Sequence, residues 1–494
     1  MRLWKRKKQQ RRQQSKVNEL LIDLDPGAKP ALYEQIYESI RRDMIDGRFS
    51  RGERLPSSRQ LAADLQVSRS TVDAAYAQLV SEGYLRAKRG SGYYACDISG
   101  LYHLTGADQN RLENRAEKRA EEPVEDFKYK YNFLPGQVDS SGFAYNAWRK
   151  ASKEALLELE TKGNLLAAGH PQGEYRLRSS VASYLYRARG VHCKPEQIII
   201  GAGNEYLLQL LGQILGGPRL VAMESPTYLQ AYDTFSNIGY KAAAVPMDQD
   251  GMRVEDIPKD GVTLAYVMPS HQFPLGCVMP LERRMQLLAW AEQREDCYII
   301  EDDHDSEFRY KGRPVPSLQG MAHLDRVIYL GTFSNSIMPS IRISYMVLPL
   351  PLVPVYKRKC GFYASTVSRI QQMCVCQFME AGAFERHLNK MRGIYRAKHD
   401  LLLAALKEKT WVNKIYGGYA GLHIAVELKS SLTEWELTQR AAEQGICIQG
   451  VSACYIGEAE QKGEKPVLLF GFGDLAPWQI RKGVDVLDGC LRKK

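Results

Sequence analysis

The chain is predicted to be an α/β protein in more than one domain: a doubly wound, mostly parallel sheet, a smaller α+β part after it, and a small helical module in front. Three observations predict this. Short apolar runs recur at Gln197–Gly201, Leu220–Met223, Thr263–Met268, Cys297–Ile300 and Val327–Leu330, separated by segments of helical periodicity, the pattern of strands alternating with crossover helices. The stretches Tyr298–Phe308 and Tyr329–Tyr345 pass from apolar into acidic, small or hydroxylated residues, as buried parallel strands do when they deliver polar groups to their C-terminal edge. Finally, 494 residues exceed what one core holds, so two or three domains are expected.

Hydrophobic residues at 44% and charged residues at 25% are ordinary for a globular protein, so the location of the net charge of +10 says more than its size. Residues 1–16 carry eight basic and no acidic side chains, whereas 17–96 balance. Such an arm (1–28) either tracks nucleic-acid phosphates or is simply a solvated terminus. It lacks the apolar centre of a secretory signal, and nowhere does the chain hold a run of about 18 apolar residues, so no membrane partner and a cytoplasmic location are expected. The ten cysteines are scattered, and Cys374 and Cys376 are too close in sequence for paired zinc ligands. They read as reduced thiols, with no metal site expected.

In the N-terminal module, Leu32, Ile36, Ile40 and Met44 lie on one stripe of a helix from Ala31 to Ile45. The turn-rich stretch Gly47–Arg59 enters a second helix through Ser57 and Ser58. A third starts at Val67–Val72, with Ser68 as N-cap, Val72, Ala75, Tyr76 and Leu79 as buried face, and Arg69, Ser70, Thr71 and Asp73 near its exposed first turn. Gly83 ends it, and Tyr84–Tyr94 reads as a hairpin with a basic, glycine-rich tip. With Leu-Pro-Ser-Ser-Arg at 55–59 and Val-Ser-Arg-Ser-Thr-Val at 67–72, this order resembles the GntR family of bacterial repressors. The resemblance implies a winged helix-turn-helix over 29–96 that binds double-stranded promoter DNA. Its third helix would enter the major groove with Arg69, Ser70 and Thr71 near bases or phosphates, while Ser57, Arg59, Lys88, Arg89 and Ser91 hold the backbone.

Residues 97–130, rich in Glu, Arg, Lys, Asp and Asn, read as a linker, helical at Arg111–Glu122 and stopped by Pro123. The large domain is expected over 131–353, with Ala202–Glu205 opening an apolar helix that runs to Leu215. From about Pro354 helix dominates, until strand-like runs at Gly421–Val426 and Pro466–Gly471 complete a small domain over 354–494.

Thr332-Phe-Ser-Asn-Ser336 with Arg342, read with Glu301–Phe308, Glu224–Tyr228, Gly169–Gly173 and Pro269–Pro274, resembles the pyridoxal-phosphate (PLP) site of fold-type I aminotransferases. More specifically, the chain resembles the MocR or GabR branch, regulators in which such a domain is fused to a DNA-binding module, over about residues 31–475. The resemblance implies a phosphate cup from Gly203, Asn204, Thr332, Ser334 and Arg342, the first two at a helix start whose N–H groups suit a dianion. Tyr228 would stack on the ring and Asp302 would keep its nitrogen protonated. His304 stands where the family has a tyrosine facing the 3-oxygen, and Asn335 where it has the Schiff-base lysine. Gln230 and Ala453 stand where arginines for a substrate carboxylate are expected.

A carboxamide nitrogen is neither basic nor nucleophilic, so Asn335 can form no imine and shuttle no proton, and no catalytic residue is expected. The pocket then either holds PLP without a covalent link or holds none. The resemblance implies a DNA-binding regulator and homodimer whose aminotransferase-like domain senses an amino acid or PLP-related effector. The alternative, a PLP-dependent aminotransferase with a fused DNA-binding domain, would need another lysine to reach the aldehyde; Lys311 lies beyond the acidic strand end.

Overall fold

A computed structural model describes residues 22–25, 27, 29–88, 90–97, 129–162, 165–310, 312, 315–457 and 465–492. The N-terminal arm before Ile22 and the expected linker helix at Arg111–Glu122 lie outside the described residues. Two compact units divide between residues 127 and 128.

In the first unit, α1 (Leu32–Ile45), α2 (Ser58–Asp64) and α3 (Arg69–Ser81) precede a hairpin of β1 (Leu85–Lys88) and β2 (Gly92–Ala95). The expected stripes are the buried ones: Ile36, Ile40 and Met44 of α1 meet Val72, Ala75, Tyr76 and Leu79 of α3 in one core, closed by Leu61 and Leu85. The aliphatic members such as Ile36, Ile40, Val72 and Leu79 each contribute roughly 1.5–3 kcal/mol when fully buried. Leu32 is only half-buried, because it occupies the first turn. The Tyr76 hydroxyl donates to the Pro56 carbonyl at 2.9 Å, tying α3 to the turn that enters α2.

The second unit opens with a two-residue strand, β3 (Tyr131–Asn132), then α4 (Tyr145–Thr161) and α5 (Tyr175–Arg189). There follow β4 (Ile198–Gly201), α6 (Asn204–Leu215), β5 (Leu220–Ser225), α7 (Leu229–Asn237), β6 (Lys241–Asp248), β7 (Gly251–Met252), β8 (Val262–Val267), α8 (Leu281–Glu292), β9 (Tyr298–Asp302), β10 (Val327–Thr332) and β11 (Ser344–Val347). These strands form one eight-stranded sheet in the order β4-β11-β10-β9-β8-β5-β6-β7. Strands β10, β9, β8, β5 and β6 pair in parallel, whereas β11 lies antiparallel between β10 and β4. The mostly parallel α/β sheet expected from the alternating pattern is thus present, with β6 and β11 as strands the apolar runs did not announce.

Alternation along β9 shows why those runs are continuous. Tyr298 and Ile300 pack on the face that carries α6 and α7, while Ile299 packs on the opposite face with Leu287, Leu288 and Ala291 of α8. A strand covered on both faces has no polar side.

Besides a four-residue helix at Leu318–Met321 and short 3-10 turns, the remaining elements are α9 (Leu352–Lys359), α10 (Arg369–Glu380), α11 (Ala383–Lys407), β12 (Val412–Tyr416), β13 (His423–Leu428), α12 (Glu434–Glu443), β14 (Ile446–Cys447), β15 (Gln449–Gly450), β16 (Val467–Gly471) and α13 (Pro477–Arg492). A second sheet runs β12-β13-β16-β15, all antiparallel. One difference from the 131–353 assignment concerns β3, which pairs with β14 rather than with the large sheet. Phe133 explains it: this buried ring packs edge-on against Phe470 at 5.4 Å, and its carbonyl accepts the Gly471 N–H at 2.7 Å.

Candidate ligand site and nucleic-acid interface

The helix starts of the first unit are built by local caps. Ser68 Oγ accepts the Thr71 N–H at 3.2 Å and lies 2.7 Å from both the Ser70 and Thr71 hydroxyls. Thr71 is consequently half-buried within the cap, whereas Arg69 and Ser70 are exposed. Arg69 pairs with Asp73, 3.5 Å away, an exposed pair that constrains it weakly. Ser57 caps α2 by accepting the Gln60 N–H at 3.2 Å, beside the exposed Arg59. In the hairpin Lys88 is exposed and Ser91 Oγ is 2.6 Å from the Tyr94 hydroxyl; Arg89 lies outside the described residues. The sequence reading passed over Arg54, whose backbone bridges Tyr94 and whose guanidinium lies over Gly92. A cation three residues before the α2 cap was its only available signal.

In the second unit the C-terminal ends of the central strands converge. Gly201, Ser344 and Thr332 are in register across β4, β11 and β10, and Leu330 pairs with Asp302. The acidic run at the end of β9 resolves into four carboxylates with four different sets of partners. Glu301 accepts the N–H groups of Leu318 and Gln319 at 2.9 and 3.0 Å. Asp303 pairs with Arg189 at 2.7 Å and accepts the Tyr329 hydroxyl; burial opposes its ionisation, but these contacts and Ser306 outweigh it and hold its carboxyl below the usual range. Asp305 accepts from Asn335. Asp302, buried at the strand end, accepts the Tyr266 hydroxyl at 2.6 Å and the Asn204 amide at 3.3 Å to each oxygen. Burial raises its pKa, partly countered by the Tyr266 bond.

Beside Asp302, the first turn of α6 meets Arg342. Gly203 has φ +104°, and a Cβ there would lie 2.4 Å from Arg342 Nη2. Only a residue without a side chain lets the guanidinium come so close to this helix N-terminus. Arg342, itself left-handed at φ 48°, pairs with Glu205 at 3.0 Å. Thr332 Oγ1 accepts the Ser334 N–H at 3.1 Å and the Ser344 hydroxyl at 3.0 Å. Asn204 Oδ1 is buried and has no hydrogen-bond partner among the described residues.

Tyr228 follows β5, and its ring meets Phe273 edge-on at 5.9 Å. Burial pushes its hydroxyl up to about 12, reinforced by the charges of Glu205 and Asp302 and opposed by that of Arg342. Gly203, Asn204, Tyr228, Asp302 and Arg342 therefore share one neighbourhood. His304 lies on its other flank, 6.1 Å from Phe273 and with Nε2 3.4 Å from Asp305 Oδ2. Asn335 Nδ2 donates to Asp305 Oδ1 at 2.6 Å. Gln230 is exposed on the first turn of α7, and Ala453 is exposed on a short 3-10 helix (Val451–Cys454) whose Cys454 carbonyl accepts the Thr227 N–H at 2.8 Å. The residues missed from the sequence were Tyr266, Glu205, His271 and His423; Tyr266 ends an apolar strand and reads there as core.

Comparison with known proteins agrees with this architecture. Residues 32–94 match the model of bacterial regulatory proteins of the gntR family, and residues 135–463 that of aminotransferases of class I and II. The chain is similar to the uncharacterized HTH-type transcriptional regulator YdeL of Bacillus subtilis (39% identical, covering 93% of this chain and 97% of YdeL). It is also similar to the probable rhizopine catabolism regulatory protein MocR of Rhizobium meliloti (31%, covering 94% and 95%). Among solved structures, an archaeal alanine:glyoxylate aminotransferase superposes with a TM-score of 0.67 at 25% identity, over 78% of this chain and 95% of that one. A GntR module and a class I/II aminotransferase-like domain thus occupy one polypeptide, and the chain belongs to the MocR-type family of HTH transcriptional regulators.

Proposed function

We propose that this promoter-binding regulator uses its aminotransferase-like domain to sense a small-molecule effector and to dimerise, without amino-group transfer and without a covalently held cofactor. One observation carries the reading: the side chain that reaches Asp305 from the loop after β10 is the carboxamide of Asn335, not an amine. PLP, when bound, supplies an electron-withdrawing ring and an aldehyde that condenses with primary amines.

The residues fit its non-covalent retention. The N–H groups at Gly203 and Asn204, the hydroxyls of Thr332 and Ser334 and the Arg342 guanidinium would hold the phosphate, with Arg342 turning from Glu205. Tyr228 would cover the ring, Asp302 would take the proton-bearing ring nitrogen, and His304 would face the ring oxygen. The unpartnered Asn204 Oδ1 supports a polar ligand at this place. With no amine at 335, a preformed PLP–amino acid adduct suits the pocket as well as PLP does. A two-fold dimer would present two recognition helices to two half-sites.

The test combines spectroscopy with DNA binding. Purified protein mixed with PLP should retain a free-aldehyde absorbance through gel filtration, should carry no lysine-bound cofactor after borohydride, and should turn over no amino donor. Its affinity for duplex from neighbouring promoter regions should change when PLP or a PLP–amino acid adduct is added. A cofactor-bearing lysine in the peptide map, or turnover of any amino donor, would overturn the reading.

A further inference from the structure

Three side chains from distant segments meet beside Asn335: His271 after β8, Asp305 after β9 and His423 at the start of β13. One donor atom from each lies within 4.8 Å of the other two, and all three residues are buried. His271 is 0% exposed, yet neither of its ring nitrogens has a hydrogen-bond partner among the described residues. Leaving a buried polar atom unsatisfied costs about 1–3 kcal/mol, so two on one ring call for a ligand.

The surroundings suit a cation. His423 Nε2 lies 3.0 Å from the Pro274 carbonyl, the outer contact that orients a ligating imidazole and leaves Nδ1 with its lone pair. Asp305 Oδ2 accepts the Leu422 N–H at 3.3 Å and faces His304 Nε2, while Oδ1 accepts the neutral Asn335 amide. Among the described residues the ion-pair partner of this carboxylate is the His304 imidazole, with no lysine or arginine within pairing distance. Gly421 is bare where a Cβ would stand 2.0 Å from His271 Cε1, which lets the chain close around the ring.

We propose that His271, His423 and Asp305 bind one divalent transition-metal ion of the zinc type, with His304 beside the fourth position. Two imidazoles and one carboxylate form a borderline donor set that favours zinc, cobalt or nickel over magnesium or calcium. Tetrahedral bonds of about 2.0–2.2 Å set ligand atoms about 3.4 Å apart, so donors now within 4.8 Å of one another would close in by up to about 1.4 Å. The ion would clip the ends of β8 and β9 to β13, joining the large sheet to the antiparallel one. It goes beyond the effector reading and does not depend on PLP.

The experiment uses untagged full-length protein, stripped with a chelator and titrated with Co2+ in the absence of PLP. One equivalent per chain should bind, with the visible bands of a four-coordinate site, and Zn2+ should displace it. His271→Ala and His423→Ala should weaken binding by at least about 100-fold while near-UV circular dichroism stays native. Asn335→Lys, which sets an ammonium against Asp305 without removing a donor, should weaken it about tenfold and decides the matter if the histidine variants do not fold. Failure of the parent protein to take up Co2+ or Zn2+, as when water alone fills the space, would overturn the proposal. So would binding that the histidine variants leave unchanged, or an affinity unaltered by Asn335→Lys.

Discussion

The Asn335 carboxamide lies 2.6 Å from the Asp305 carboxylate, at the edge where β9 and β10 end. An amine at this place would be paired and charged, whereas an amide only donates a neutral hydrogen bond. Asn335→Lys is therefore expected to yield a cofactor adduct on residue 335 after incubation with PLP and borohydride, and the parent chain none. Mass spectrometry of the digested protein checks this. The single change is not expected to create measurable amino transfer, because His304, Gln230 and Ala453 remain.

Gly203→Ala tests the approach of Arg342 to α6. The left-handed φ of +104° and a Cβ 2.4 Å from Nη2 combine strain with a clash. A stability loss of about 1–3 kcal/mol is expected from such a position. PLP affinity should fall about tenfold as the guanidinium is displaced, read by fluorescence titration alongside thermal unfolding.

Arg69→Ala addresses the DNA-binding module. Arg69 is exposed and forms a surface pair with Asp73, so its loss should leave stability within about 0.5 kcal/mol. Binding to a footprinted promoter duplex should weaken. If Arg69 meets a phosphate, the slope of log K against log salt should shrink by about 1; if it reads a base, discrimination at one position should fall by about 1–3 kcal/mol. Gel shifts over a salt series distinguish the two.

Glu224 supplies a pH test. Buried at the end of β5, it accepts the Met268 N–H through Oε2 at 3.4 Å while Oε1 has no partner among the described residues. Burial raises its pKa from 4.5 to about 7. The folded state thus binds the proton more tightly than the unfolded one, and the stability this confers is lost as pH rises from about 4.5 to about 7. Glu224→Gln has no such loss. Its stability advantage should be small at pH 5 and approach roughly 3 kcal/mol above pH 7, measured by denaturant titration across that range.

Much of this molecule was legible beforehand because period and composition carry it. The buried face Val72, Ala75, Tyr76 and Leu79 follows from spacing, and the central strands follow from apolar runs bounded by turn residues. The acidic run was legible only as an acidic run. That Glu301 holds a turn, Asp303 an arginine, Asp305 an amide and Asp302 the Asn204–Tyr266 pair depends on partners tens of residues away. Strand β11 escaped notice because its polar start, Ser344, faces Thr332 and Gly201 only once three strands align.

By itself the amino-acid sequence determined the kind of protein: a winged module with a basic tip, an α/β body, and a carboxamide rather than an amine at position 335. Those are properties of residue type and local period, which need no neighbours. Tertiary structure alone decided which carboxylate meets which donor, why Gly203 admits Arg342, and that His271, Asp305 and His423 lie buried within reach of one another. Long-range packing sets those relationships, since burial and pairing belong to the folded surroundings rather than to any stretch of chain.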